Sequence, residues 1–368
     1  MPGTWAYTRD EKVPGTFTWE KITMKQRGSC FVIGMCIVSI IMLGGLAQAM
    51  PAKGNPAAKF VAVPLGVNGG LTEDNLSAYL LAPKGDPNFI ALDAGTLLAG
   101  LRQVRIQESL PEIKVPADSP LNFEGWMLQK QLKAYLISHA HLDHVAGLII
   151  NSTDDSNKEI VGLAGTIDIL RDSVFNWKLW PNFGDDGAGF QMKKYHYARL
   201  TPGEPYPIKE TAMTVTAFPL SHSNYASTAF LIGAGDAYTV YFGDTGPDAV
   251  EKSDGLKQVW TAIAPLVRDQ KLNGIFLEVS YPEGRSDKQL FGHLTPGWLL
   301  KELHVLAELV NPAQPATALT GLTVFVTHIK PVLEREQAPA DKIAKDLEQA
   351  NDLGVKFVIP EQGERLEF

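Results

Sequence analysis

Five short apolar runs along the chain lead into or carry a polar side chain. Residues 132–138, "LKAYLIS", precede His139, and residues 213–221, "MTVTAFPLS", precede His222. Residues 237–243, "AYTVYFG", precede Asp244, residues 274–280, "GIFLEVS", carry Glu278, and residues 322–327, "LTVFVT", precede His328. Each run is short and rich in β-branched and aromatic residues, which predicts strands. Helical periodicity lies between and after them. Residues 295–310, "TPGWLLKELHVLAELV", open with Thr295 as N-cap and Pro296 at the first helical position. Residues 339–354 place Ile343, Leu347 and Ala350 on one face and stop at Gly354. Residues 154–207 include "FNWKLWPNFGDDGAG" and read as an insertion or loop near the strand ends. Buried strands that deliver polar side chains at their ends are how layered α/β folds build sites.

The N-terminal region has a different pattern. Residues 28–52 carry no charge, Lys25 and Arg27 lie just before them, and the apolar run ends in Ala47-Gln48-Ala49. A basic flank, an apolar middle and an A-x-A end predict a secretory signal peptide over residues 24–49, cleaved after Ala49. Met24 then reads as the start, and residues 1–23 as a mis-called extension. The competing reading is an uncleaved membrane anchor, since the run approaches spanning length. Cleavage would leave residues 50–368 as a single domain without stable membrane insertion, in the periplasm or outside the cell.

Both cysteines, Cys30 and Cys36, lie in that segment. The mature chain therefore has no disulfide, thiolate ligand or cysteine nucleophile, and any metal must be held by His, Asp or Glu. Removing the five Lys/Arg and three Asp/Glu of residues 1–49 from totals of 33 and 41 leaves 28 basic and 38 acidic residues, a balance of −10. Long nucleic acid would be repelled at distance, whereas a small anion caught by metal ions would not.

Three of the eight histidines and an aspartate fall within residues 139–144, "HAHLDH". In a loop leaving a strand, His139 and His141 can turn toward one ion, and Asp143 and His144 toward a second. Two divalent ions ~3.5–4 Å apart clamp the attacking and leaving oxygens of a phosphoryl displacement. Such a pair needs further ligands, and His222, Asp244 and His328 are the strand-end candidates. Asp244, in "FGDTG", could instead serve only a turn. His196 and His304 stand alone in sequence and read as structural or exposed.

The stretch "HAHLDHVAGLIINS" resembles the signature of the class II cyclic-nucleotide phosphodiesterases, within the metallo-β-lactamase fold superfamily. Thr153 stands where the signature closes with Ala or Pro. "GGLTEDNLSAYLL" with "IALDAGTLLAGL", and then "SHSNYASTAFLI", "YFGDTGPD", "FLEVSYPE", "GHLTP" and "VFVTHIKP", follow in the family's order, over about residues 60–365. The resemblance implies an α/β fold, an αβ/βα sandwich of two packed mixed sheets with outer helices and a site at one edge. It implies His139, His141 and His222 as ligands of a first zinc, Asp143, His144 and His328 as ligands of a second, and Asp244 as the bridge. Related tRNA-processing nucleases use a strand-end Glu and a later H-x-T together, which implies Glu278 and His293 here; His293 could otherwise cap the following helix beside Thr295.

The activity so implied is hydrolysis of nucleoside 3′,5′-cyclic phosphates (cAMP, and cGMP as a further substrate) to 5′-phosphates with two Zn2+ ions. Asp143 would hold metal and accept a proton from the nucleophile. His293, oriented by Glu278, would protonate the leaving 3′-oxygen. The rivals are an RNA phosphodiesterase, lactonase or β-lactamase on the same fold, and an exported metal- or nucleotide-binding protein without catalysis. Trp177, Trp180 and Phe183 are candidates for base contact, set against plain hydrophobic packing.

Overall fold

The computed structural model describes residues 57–335 and 338–368. The segments read above as an extension and a signal peptide lie outside the described residues. No helix among the described residues is long and apolar enough to cross a membrane.

The strands are β1 (Phe60–Gly66), β2 (Ala78–Pro83), β3 (Phe89–Leu92), β4 (Leu132–Leu136), β5 (Lys158–Leu163), β6 (Tyr195–Leu200), β7 (Pro205–Pro207), β8 (Met213–His222), β9 (Tyr225–Ala234), β10 (Ala237–Phe242), β11 (Leu272–Glu278), β12 (Thr323–Thr327), β13 (Lys356–Val358) and β14 (Leu366–Glu367). They form two seven-stranded mixed sheets, in the orders β14-β1-β2-β3-β4-β5-β6 and β13-β12-β11-β10-β9-β8-β7.

The period-2 alternation of strand side chains divides the apolar residues among three cores. Phe60 and Ala62 of β1 join Tyr79, Leu136, Phe230, Tyr241, Phe276 and Phe325 in the core between the sheets. Val61, Val63 and Leu65 of the same strand turn to the opposite face, with Leu101, Val104 and Leu148 from helices Leu98–Ile106 and Leu142–Asn151. On the far side, Val240, Ile275 and Val324 pack with Trp260, Leu303 and Leu347 from three more helices. Helix, sheet, sheet and helix therefore succeed one another, as the sandwich expectation requires.

Residues 154–207 are not an insertion. Lys158–Leu163 and Tyr195–Leu200 are paired parallel strands that complete the first sheet. β6 hides its identity because His196 and Arg199 face out, and β5 because it opens with Lys158 and Glu159, both buried. The aromatic, glycine-rich piece between Val174 and Tyr195 is the long irregular stretch within residues 154–207. The C-terminal helix spans Pro339–Ala350; it buries Ile343 and Leu347, but Ala350 is exposed and ends it, four residues before Gly354. Thr295 is the N-cap of helix Pro296–Val310, but its side chain makes no capping bond. The Glu283 carboxylate accepts from Gly297 N instead.

Candidate active site

The direction of the strands gathers the candidate residues. β10, β11 and β12 are parallel, and β8 runs the same way because β9 is antiparallel to both β8 and β10. Their C-terminal ends therefore share one edge and present His222, Asp244, Glu278 and His328. From the other sheet, β4 delivers the loop with His139 and His141. His141 is the N-cap of helix Leu142–Asn151, which puts Asp143 and His144 in the first turn. A carboxylate there also meets the positive end of the helix dipole.

Two groups of donor atoms meet at Asp244. One is His139, His141, His222 and Asp244, the other Asp143, His144, Asp244 and His328, and within each group the ligand atoms all lie within 4.8 Å of one another. Asp244 Oδ2 is 3.8 Å from His139 Nε2, 3.7 Å from His222 Nε2 and 3.2 Å from His328 Nε2, while its Oδ1 is 3.2 Å from His144 Nε2. His328 Nε2 is also 3.2 Å from Asp143 Oδ2. His139 Nε2 faces His141 Nδ1 at 2.9 Å.

The outer nitrogens fix which atoms point inward. His222 Nδ1 lies 2.8 Å from the Gly292 carbonyl and His144 Nδ1 2.8 Å from Asp93 Oδ2, and both partners only accept. Each Nδ1 must therefore carry the hydrogen, so in a neutral ring Nε2 turns a lone pair toward Asp244. Ser138 Oγ donates to Asp93 Oδ2 and lies 3.1 Å from His139 Nδ1; Ser280 Oγ donates to Glu278 Oε2 and lies 3.0 Å from His328 Nδ1. Partners of this kind set the tautomer and aim of metal-ligating histidines. The Gly292 carbonyl reaches His222 only because residue 292 is glycine: its φ is +79°, and a Cβ would fall 2.4 Å from Ser223 N.

Ring lone pairs facing carboxylate oxygens repel unless a cation lies between them. His144 Nε2 is buried and makes no aligned hydrogen bond, despite its 3.2 Å approach to Asp244. Burial holds His139 well below the ordinary imidazole range, with the neighbouring His144 adding to it, and burial also lowers His141 and His222. Burial thus favours the neutral form of these three rings, the form that a metal-binding imidazole takes. Burial pulls His144 down as well, but Asp244, Asp93 and Asp143 outweigh it and raise it well above its usual value. Burial opposes ionisation of Asp244 and Asp143, yet the surrounding histidines hold both well below the carboxylate range. This donor set fits divalent cations.

Glu278 and His293 form a pair beside the cluster. His293 Nδ1 lies 2.8 Å from Glu278 Oε1, and Glu278 also accepts from Thr245 N at 2.9 Å. Burial lowers the His293 pKa, but the Glu278 and Asp244 charges raise it above the ordinary value. Both residues also lie close enough to Asp244 and His328 to share an ion, so proximity alone leaves a ligand role open for them.

The solitary histidines are elsewhere: His196 pairs with Asp185 and His304 with Asp352 at the surface. Phe183 packs in the outer core of the first sheet; Trp180 Nε1 donates to Ser152 Oγ, and Trp177 Nε1 to the Phe190 carbonyl. These are packing and loop contacts. Sequence reasoning missed Asp93, which accepts from Ser138 N, Ser138 Oγ and Tyr241 Oη besides meeting His144. It follows the apolar run "FIAL", the same signal that marks the other strand ends. Tyr225, packed edge-on to His141 at 4.7 Å, and Tyr281, packed likewise to His293 at 5.7 Å, were also missed.

Residues 57–363 match the family model of class-II cAMP phosphodiesterases. A 3′,5′-cyclic-nucleotide phosphodiesterase of Aliivibrio fischeri is 47% identical over 311 residues, which span 84% of this chain and 93% of that protein. A probable 3′,5′-cyclic-nucleotide phosphodiesterase of Yersinia pestis is 42% identical over 84% of this chain and 90% of its own length. Among solved structures, unliganded yeast PDE1 superposes with a TM-score of 0.71 at 26% identity, covering 84% of this chain and all of that one. The metallo-β-lactamase fold protein YhfI of Bacillus subtilis, at 16% identity, a TM-score of 0.52 and coverage of 84% and 99%, shares the fold.

Proposed function

Because the chain belongs to the class-II cAMP phosphodiesterases, we propose that it hydrolyses nucleoside 3′,5′-cyclic phosphates, cAMP and cGMP, to nucleoside 5′-phosphates at the histidine–aspartate cluster. The observation that carries this reading is the convergence of inward ring nitrogens on Asp244 beside the Glu278–His293 pair. His139, His141, His222 and Asp244 would hold one divalent ion, and Asp143, His144, His328 and Asp244 a second. Zinc suits an imidazole-rich set without thiolate. When bound, such a pair supplies a nucleophilic hydroxide near neutral pH and neutralises charge at phosphorus.

The chain's own residues do the rest. As oxygen from water bonds to phosphorus and the released proton passes to solvent, the bond from phosphorus to the 3′-oxygen breaks and leaves an electron pair on that oxygen. An alkoxide leaves poorly, so a positioned acid contributes ~10²–10⁴-fold. Imidazolium His293 has its Nδ1 hydrogen committed to Glu278, which leaves the Nε2 hydrogen for the 3′-oxygen. The Asp143 side chain is 20% exposed against 3% for Asp244 and is the more accessible carboxylate for the attacking water. Its depressed pKa keeps it ionised, which suits it to orient that water and makes it a weak proton acceptor.

The charge-free run and Ala47-Gln48-Ala49 support export to the periplasm or beyond, with the mature chain starting at Met50. N-terminal sequencing of the exported protein tests this; retention of Lys25 would contradict it. The activity is tested by incubating purified protein with cAMP and with cGMP. Release of the 5′-phosphate is expected. Release of the 3′-phosphate, or no turnover in zinc-supplemented protein, would overturn the reading.

A further inference from the structure

A cavity of about 840 Å³ opens beside the cluster, lined in part by Gly69, Gly70, Tyr281, Glu283, Arg285 and Lys330. It borders the Asp143–His328–His293 side. A Cβ on Gly69 would fall 2.6 Å from the His328 ring, and one on Gly70 4.0 Å from Asp143 Oδ2. The Gly69 backbone therefore packs directly on the His328 ring, and Gly70 lies next to Asp143, which sets this wall of the cavity against the site. Its wall at Tyr281 touches His293 edge-on. On the His139–His141 side, the cavity lined by Thr166 and Tyr225 holds only about 150 Å³. Small-molecule sites run to ~300–1,000 Å³, a range that takes in only the larger of the two.

The chemistry chooses the same side. The 3′-oxygen that receives the His293 proton belongs to the ribose, so the ribose must lie next to His293 and the base beyond it. There the Arg285 guanidinium lies 3.8 Å from the Tyr281 ring centroid, a flat cationic stack. Glu283 is engaged by Gly297 N, and Lys330 Nζ reaches to 3.4 Å from the Gly69 carbonyl. Arg285 and Lys330 give this wall a local positive charge in an acidic chain, which suits a nucleotide phosphate.

We propose that this cavity is the nucleoside subsite, with the Tyr281–Arg285 stack as the wall on which the base lies and Lys330 facing the ribose phosphate. The assignment rests on the phosphodiesterase reading above and locates its specificity. The experiment measures cAMP kinetics together with inhibition by 5′-AMP and by ribose 5-phosphate, which lacks the base. Base stacking on such a platform is sequence-tolerant and strong enough that Arg285→Ala and Tyr281→Ala should each raise the KM for cAMP and the inhibition constant of 5′-AMP about 10-fold. The constant for ribose 5-phosphate should move far less, and Tyr281→Phe should keep the wild-type KM. Equal shifts for both inhibitors, no shift for either, or a 10-fold KM increase from Tyr225→Ala alone would overturn the subsite. Wild-type protein that turns over neither cAMP nor cGMP would sink the phosphodiesterase reading itself. Wild-type turnover with an unmoved KM in both variants would sink the subsite alone.

Discussion

The carboxylates of Asp155 and Asp244 are both buried in this fold, and their surroundings are built in opposite ways. Asp155 Oδ1 accepts from Lys158 Nζ at 2.6 Å and Ser156 N at 2.7 Å, and its Oδ2 accepts from Tyr135 and Tyr195 hydroxyls at 2.7 and 2.8 Å. Lys158 Nζ spends a further hydrogen on the Leu128 carbonyl. Every acceptor there faces a donor, so the network is complete and ties β4, β5 and β6 together. Asp244 instead faces ring nitrogens that carry lone pairs when neutral. One buried polar cluster is closed by its own donors; the other, on the reading proposed above, would close around added cations. Satisfaction of polar groups, more than their burial, separates a structural cluster from a functional one.

Exchanging the two carboxylates for alanine separates the clusters most sharply. Asp244→Ala is expected to abolish cAMP turnover and to shrink the drop in melting temperature that chelator causes in wild-type protein. Retained turnover would erase the distinction. Next, His293→Ala should lower kcat on cAMP by ~10²–10⁴-fold with both ions kept. A nitrophenyl diester, whose leaving group needs little protonation, should suffer much less; equal losses would mean that His293 binds phosphate rather than donating a proton.

Asp155→Ala strands the buried Lys158 and should cost ~3–5 kcal/mol in denaturant unfolding, with or without chelator and with kcat per folded molecule unchanged. A loss below ~1 kcal/mol would show that the network is not structural. Asp93→Ala removes an outer partner of His144 and should weaken metal affinity by ~10–100-fold, read by competition with a chromogenic chelator.

The smallest effect lies in the pH profile. His293 faces Glu278, Asp244 and Lys330, with the rings of His222, His328 and Tyr281 packed around it. The proton donor is present below its raised pKa, so kcat should fall as pH rises through that value. Glu278→Gln removes the leading charge that raises it, and the fall should move to lower pH. An unmoved limb would assign it to another group.

The strand ends were legible in the sequence because burial on both faces leaves short β-branched runs, and the polar residue after each run breaks the pattern. Asp93 obeys the same rule after "FIAL", but that strand has only four residues and gives the weaker signal. β5 was lost for the reason that defines the comparison. Lys158 and Glu159 read as solvated, yet Lys158 is paired with Asp155, and Glu159 meets Lys209 and the Tyr206 hydroxyl. Only tertiary structure supplies those partners. Ser138 and Ser280, which hold the outer faces of His139 and His328, carry no local signal at all.

The account turns on whether the lone pairs around Asp244 close on two cations. Metal analysis of protein purified without chelator, with cAMP turnover measured on the same sample before and after stripping, tests that directly. Close to two zinc ions per chain, about half that or less in Asp244→Ala, and turnover lost on stripping and restored by zinc are the expected result. Full turnover by metal-free protein would contradict it.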